Sequence, residues 1–274
     1  MSTRELAAML AAAPQPVVLD ARWRLAGRPG REDYVRGHVP GAVFVDLDRE
    51  LAAPPGPAGR HPLPDPAALQ ATLRAAGINT GDTVVVYDDR DGSVAARAWW
   101  LLRWAGHADV RVLDGGYAAW TDEHRPADTE IPVPLPGDLV VTPGQLPVLD
   151  AEQAAALATE GVLLDARAPV RYRGDVEPVD PRAGHIPGAR SAPFAGHIGP
   201  DGRWLAPEQL AERFAGFGVD NDTAVGAYCG SGVTASSVVL AIEAAGVLDR
   251  PAALYAGSWS NWSGDPERPV ATGD

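Results

Sequence analysis

Short, almost wholly apolar runs alternate along this chain with longer helical runs. Val17-Val-Leu-Asp20, Val84-Val-Val-Tyr87, Val162-Leu-Leu-Asp165 and Thr223-Ala-Val-Gly-Ala-Tyr228 read as buried strands. Helical runs are expected at 66–76, 95–105, 151–159, 207–214 and 235–245. Strand–helix alternation of this kind predicts an α/β chain built on parallel sheets with helices on both faces. Ligands of such sheets gather beyond the carboxyl ends of the strands. Trp99, Trp100, Trp104 and Trp120 fall at spacings that suit helix and core packing, and no site is assigned to them.

The pattern occurs twice. Val17-Val-Leu-Asp-Ala-Arg22 returns as Val162-Leu-Leu-Asp-Ala-Arg167, and Gly37-His-Val-Pro-Gly-Ala42 as Gly184-His-Ile-Pro-Gly-Ala189. Gly81-Asp-Thr-Val-Val-Val-Tyr87 corresponds loosely to the run ending at Tyr228, and Asp114-Gly-Gly-Tyr-Ala-Ala-Trp120 to Ala256-Gly-Ser-Trp-Ser-Asn-Trp262. The matches keep their order at offsets of 141 to 147 residues, which means a duplicated domain and not a solenoid. Prolines crowd 130–137, so the chain divides into a first domain at 1–122, a linker at 123–147 and a second domain at 148–274. The Pro/Gly-rich stretch 51–66 reads as a long loop within the first domain.

The Gly-His-(Val/Ile)-Pro-Gly-Ala motif is expected to be structural. Pro-Gly makes a tight turn, and the histidine ring can satisfy loop backbone groups. His38 and His185 are therefore assigned to the framework.

Composition narrows the function. With 46% hydrophobic and 22% charged residues among 274, two cores are feasible. The net charge of −13 argues against nucleic acid or anionic lipid as partner, and obliges any anionic substrate to find a locally basic pocket. No apolar stretch is long enough to span a membrane, and the start lacks an apolar leader. A single cysteine excludes an intramolecular disulfide and suits a reducing compartment, so a cytoplasmic location is expected. Scattered histidines and one thiol lack metal-ligand spacing, and no cofactor is expected.

That cysteine carries the chemistry. Cys229 ends the last strand of the second copy, turns through Gly230-Ser231-Gly232-Val233-Thr234 and enters a helix. Backbone N–H groups at a helix start favour negative charge, so this loop stabilises a thiolate and any anionic group carried on it. In the first copy the equivalent position is Asp88, which can neither attack sulfur nor carry it. One site per chain is expected, in the second domain.

These motifs, in order over nearly the whole chain from Leu19-Asp-Ala-Arg-Trp23 to Trp262, resemble tandem-domain rhodaneses, sulfurtransferases with an inactive first domain and a catalytic cysteine in the second. The resemblance implies two rhodanese-like domains and a double displacement. Cys229 takes a sulfane sulfur from a donor as a persulfide, then passes it to cyanide or to a thiol such as that of thioredoxin. The uncharged loop Cys229-Gly-Ser-Gly-Val-Thr234 is similar to the 3-mercaptopyruvate branch, whereas the thiosulfate branch carries basic residues there. Mercaptopyruvate is the favoured donor and thiosulfate the alternative.

The resemblance also implies substrate contacts from Gly230, Gly232, Val233 and Thr234, and a carboxylate-binding arginine at Arg171, in Arg171-Tyr-Arg-Gly-Asp-Val-Glu177. A planar guanidinium matches a carboxylate in two places. A second arginine, nine positions later in the family, lands here on Asp180, and Arg182 is taken as its counterpart. Arg173 is either a site or a surface charge. Asp48 and His61 of the first domain would complete a relay with Ser231, which could equally cap the helix.

Two other classes fit the sequence less well. Cysteine phosphatases of this fold need an arginine six positions after the cysteine, where this chain has Ala235. A non-catalytic binding module would show decay like that at Asp88, whereas the second copy keeps its thiol, both glycines and nearby arginines.

Overall fold

A computed structural model describes residues 1–274. The chain forms two compact units, one comprising Met1–Ala53, Pro64–Gln145 and Pro200–Trp204, the other Pro54–Leu63, Leu146–Gly199 and Leu205–Asp274.

In the first unit, β1 (Val17–Asp20), β2 (Val43–Phe44), β3 (Val84–Tyr87) and β4 (Val110–Val112) form a parallel sheet in the order β2-β1-β3-β4. All four residues of β3 are buried, as expected of a strand covered on both faces. The helices at Pro66–Ala75 and Ala95–Trp104 lie within a residue of their expected bounds. The second of these buries Trp99, Trp100 and Trp104, while Trp120 packs with Val18, Val85 and Leu113.

The second unit repeats the plan. Its strands are β5 (Val148–Leu149), β6 (Val162–Asp165), β7 (Arg190–Ser191), β8 (Val225–Tyr228) and β9 (Ala253–Tyr255). They are ordered β5-β9-β8-β6-β7, all parallel. Asp165 pairs in register with Tyr228, as Asp20 does with Tyr87. Helices at Ala151–Glu160, Pro207–Gly216 and Thr234–Ala245 agree with the sequence to within two residues.

The duplicated motifs build the same framework in each unit. Arg22 forks onto buried Asp20 and donates to the Gly37 carbonyl, and Arg167 does so with Asp165 and Gly184. The ring of His38 stacks on Tyr34 and is bonded through Nδ1 to that residue's carbonyl. His185 does the same with Tyr172, at a ring separation of 3.7 Å. Both histidines are framework, as the motif implied.

Two segments depart from the sequence reading. The stretch 123–147 is not a bare linker. Its backbone bonds along the first unit, from Asp128 to His38, Gly137 to Arg74, Leu139 to Ile78 and Thr142 to Ala105. Prolines keep it extended without preventing those donors and acceptors from pairing. Pro54–Leu63, read as a first-domain loop, belongs to the second unit. There the Arg60 N–H donates to Ser260 Oγ at 3.0 Å, and Asn261 donates to the Pro57 carbonyl at 2.7 Å. Gly59, at φ +120°, makes this possible: a Cβ there would stand 2.7 Å from the Gly257 carbonyl oxygen. No helix is long and apolar enough to cross a membrane.

Candidate active site

Buried strand β8 delivers Cys229 to the carboxyl edge of the second sheet. A second turn holds the cysteine backbone in place. Ser258 Oγ accepts from the Cys229 N–H at 3.1 Å and donates to the Tyr255 carbonyl, while the Trp259 N–H donates to the Cys229 carbonyl at 2.9 Å. Ser258 is fully buried and adopts a left-handed φ of +54°, a conformation that costs a non-glycine residue about 1–2 kcal/mol.

The loop then folds back over the sulfur, and the Gly232 N–H donates to Cys229 Sγ at 3.1 Å. This turn requires glycine. Its φ is +80°, and a Cβ would sit 2.3 Å from the Ala256 carbonyl oxygen. Val233 stands at the helix cap position, Thr234 begins the helix, and no side chain caps it. Ser231 is therefore not the helix cap. Its buried hydroxyl instead shares a 2.7 Å hydrogen bond with Nδ1 of buried His61. Both residues lie in the second compact unit, His61 on the 54–63 loop that the chain carries within its first half. Asp48 does lie in the first unit, where its carboxylate accepts from Trp23 Nε1 at 2.8 Å.

The first unit shows what such a loop does with a fixed anion. Asp88 follows β3 as Cys229 follows β8. Its carboxylate accepts from the N–H groups of Arg90 and Gly92 on one oxygen, and of Val94 and Ala95 on the other, at 2.9 to 3.1 Å. Burial, with Asp91 nearby, pushes its pKa up to about 6 against the N–H groups of Ala95, Gly92 and Val94. Strand, turn and helix here make an anion cradle, filled in this copy by the chain itself.

The arginines divide differently from the sequence reading. Arg171 forks onto Glu177, with its Nη2 at 2.7 Å from Oε1 and 3.0 Å from Asp180 Oδ2. Burial opposes the Glu177 charge, but Arg171 and the N–H groups of Asp180 and Val179 hold its carboxyl below the ordinary range. Arg182 is not a second site arginine. Its guanidinium is bonded to the carbonyls of Trp262, Ser263, Asp265 and Arg268, which ties down the end of the helix Ser258–Gly264. Arg173 pairs with exposed Asp175 as a surface charge.

The sequence reading missed Arg60. Its Nη1 meets Asp180 Oδ1 at 2.6 Å, and its Nη2 lies 3.0 Å from where a Cβ on Gly230 would be. Arg171 Nη1 lies 3.4 Å from the same point. The backbone directly after the cysteine is thus flanked by two guanidinium groups. Arg60 precedes His61 in a Pro/Gly-rich loop, and only its neighbour was singled out.

A family model described as the rhodanese-like domain matches residues 2–123 and again 150–265. A probable 3-mercaptopyruvate sulfurtransferase of Pseudomonas aeruginosa is 49% identical, over 100% of this chain and 98% of that protein. A Mycobacterium tuberculosis protein named for thiosulfate sulfur transfer is 46% identical, over 100% and 96%. Among solved structures, SseA from Escherichia coli, described as a 3-mercaptopyruvate sulfotransferase, superposes with a TM-score of 0.83 at 30% identity, covering 95% of this chain and 98% of that one.

Proposed function

The chain belongs to the rhodanese family, and from that premise we propose that it is a sulfurtransferase carrying the sulfur of 3-mercaptopyruvate, as a Cys229 persulfide, to a thiol or to cyanide. The observation that supports this most directly is the juxtaposition at the end of β8. A buried thiol receives the Gly232 N–H, beside a loop glycine flanked by cationic groups and a serine bonded to histidine.

The reaction follows from those groups. The Cys229 thiolate attacks the donor sulfur. An S–S bond forms, the C–S bond breaks, and its electron pair remains on carbon as the enolate of pyruvate. That carbanion needs a proton. Ser231, bonded to His61, supplies it, and the proton is replaced through the imidazole. Arg171 binds the donor carboxylate. The persulfide then loses its S–H proton and rests as an anion against the Gly232 N–H, a small polarizable charge held by an oriented dipole. An acceptor thiolate, including that of a thioredoxin-type protein, attacks the outer sulfur and leaves as its own persulfide. Cyanide leaves as thiocyanate. Either one returns Cys229 to the thiolate.

Thiosulfate is the competing donor, and the loop discriminates the two. Thiosulfate releases sulfite, a stable anion that needs no proton, so Ser231 serves only mercaptopyruvate. Thiocyanate production should fall about 100-fold or more with mercaptopyruvate in Ser231→Ala, and by less than about threefold with thiosulfate. Cys229→Ala should abolish both. Faster turnover of thiosulfate in the wild type, with equal losses on both donors in Ser231→Ala, would overturn the donor assignment. Transfer that survives Cys229→Ala would overturn the persulfide itself.

A further inference from the structure

Arg171 cannot by itself attract an anion. It lies between two carboxylates, Glu177 and Asp180, so that trio has a formal charge of −1, and Arg167, which also reaches Glu177, is itself balanced by Asp165. Arg60 changes the balance. It shares Asp180 with Arg171 and brings the group to neutrality, with two guanidiniums facing two carboxylates. The cluster is also polarised. The Glu177 and Asp180 side chains are 4% and 3% exposed, while those of Arg171 and Arg60 are 19% and 23% exposed. The negative ends are turned inward and the N–H edges outward.

Those outward edges converge. Arg60 Nη2 and Arg171 Nη1 both approach the open side of Gly230, the residue next to the nucleophile, and a single methyl group there would touch both. The bond to Asp180 uses Arg60 Nη1 and leaves Nη2, the atom beside Gly230, outside that pair, so this guanidinium retains donor capacity. Its backbone is fixed independently of its side chain by the bond to Ser260. An arginine whose only role was to hold the loop would need neither the approach to Gly230 nor the spare donor.

We propose that Arg60 is the second donor-binding arginine of this enzyme and that Asp180 is the positioning residue that orients both forks. The position at which the family resemblance leads one to seek the second arginine holds that carboxylate instead, and the cation arrives from the 54–63 loop. The proposal rests on the reading that Cys229 takes sulfur from a carboxylate-bearing donor, and it names the group that recognises the carboxylate.

The test is steady-state transfer from 3-mercaptopyruvate in Arg60→Ala, Arg60→Lys and Arg60→Ala/Asp180→Asn, with pyruvate as a competitive inhibitor that carries the carboxylate and no sulfur. Loss of a charge-assisted hydrogen bond predicts that Arg60→Ala raises KM and the pyruvate inhibition constant together by about 10- to 100-fold, with kcat changed less than about threefold. Arg60→Lys should fall between, since it keeps the charge without the fork. Arg60→Ala/Asp180→Asn should raise both constants further than Arg60→Ala alone, because Arg171 then loses the carboxylate that orients its fork; the absence of a further rise would overturn the positioning role of Asp180. Should Arg60→Ala fail to fold, the rise in both constants in Arg60→Lys carries the test. Unchanged KM and unchanged pyruvate inhibition in folded Arg60 variants would overturn the proposal, as would a fall in kcat alone. Wild-type protein that forms no persulfide with mercaptopyruvate would instead refute the donor reading, a result distinct from either.

Discussion

Replacing Gly232 by alanine tests whether the turn over Cys229 is what makes its sulfur a carrier. Two costs can be worked from the geometry. At φ +80° an alanine occupies the left-handed region, which costs about 1–2 kcal/mol. Its Cβ would also lie 2.3 Å from the Ala256 carbonyl oxygen, which is backbone and cannot swing aside. To reach ordinary contact the loop must retreat by roughly 1 Å. The Gly232 N–H, now 3.1 Å from Sγ, would be carried out of hydrogen-bond range by that movement. A hydrogen bond to a charged group is worth about 1.5–3 kcal/mol, so persulfide formation should slow by about 10- to 100-fold. The second unit should also lose about 2–4 kcal/mol of stability. Single-turnover mixing with mercaptopyruvate, followed by the mass increase of the intact chain by one sulfur, measures the first effect, and thermal unfolding measures the second. A variant that loads sulfur within about twofold of the wild-type rate would refute the argument. So would a variant that is destabilised as calculated yet carries sulfur normally, because the N–H would then be shown irrelevant to the chemistry.

Two further substitutions probe the framework. In Asp88→Asn one acceptor oxygen must replace two, leaving without a partner two of the four N–H groups, which are buried except for that of Arg90. At about 1–3 kcal/mol each, the first unit should lose about 2–6 kcal/mol in calorimetry, while kcat for sulfur transfer below the transition stays near wild type. Unchanged stability would mean that the cradle does not need its anion. His197 is 1% exposed, packs against Phe214, and has neither ring nitrogen partnered. Burial, with Arg213 nearby, lowers its pKa to about 3. The unfolded chain takes up this proton near pH 6.5 and the folded chain does not, so stability should fall as pH drops below that value. By pH 4.5 the loss is about 2–3 kcal/mol. His197→Leu should flatten this part of the urea-unfolding profile relative to wild type, and an identical slope in both proteins would refute the assignment.

The sequence revealed those features that depend on local pattern. Strands of four apolar residues, helices within two residues of their ends, and the strand–thiol–glycine turn were all readable because each is set by neighbours in the chain. Duplication made the framework roles of His38 and His185 legible, since only one copy has a thiol to serve. Ser231 shows where the reading stopped. A serine near a helix start suggests a cap, and only the fold reveals that the hydroxyl meets His61, 170 positions away. Arg182 and Arg60 fail for the same reason. Counting along the chain led to the arginine nearest the expected spacing, yet its guanidinium holds four carbonyls, two in the last helix and two just beyond it. The cation that reaches the loop beside Cys229 comes from 120 positions before Asp180, in a segment that composition assigned to the other half. Which donor faces which acceptor across such distances is not encoded in spacing.

Asp88 gives the duplication a physical meaning beyond ancestry. In the first unit the cradled charge is part of the polypeptide and stays for the life of the molecule. In the second, the same place at the strand end holds the thiol of Cys229, which receives the Gly232 N–H. On the proposed function one copy is a permanent mooring and the other a berth, and the exchange of a carboxylate for a thiol separates a structural element from a carrier.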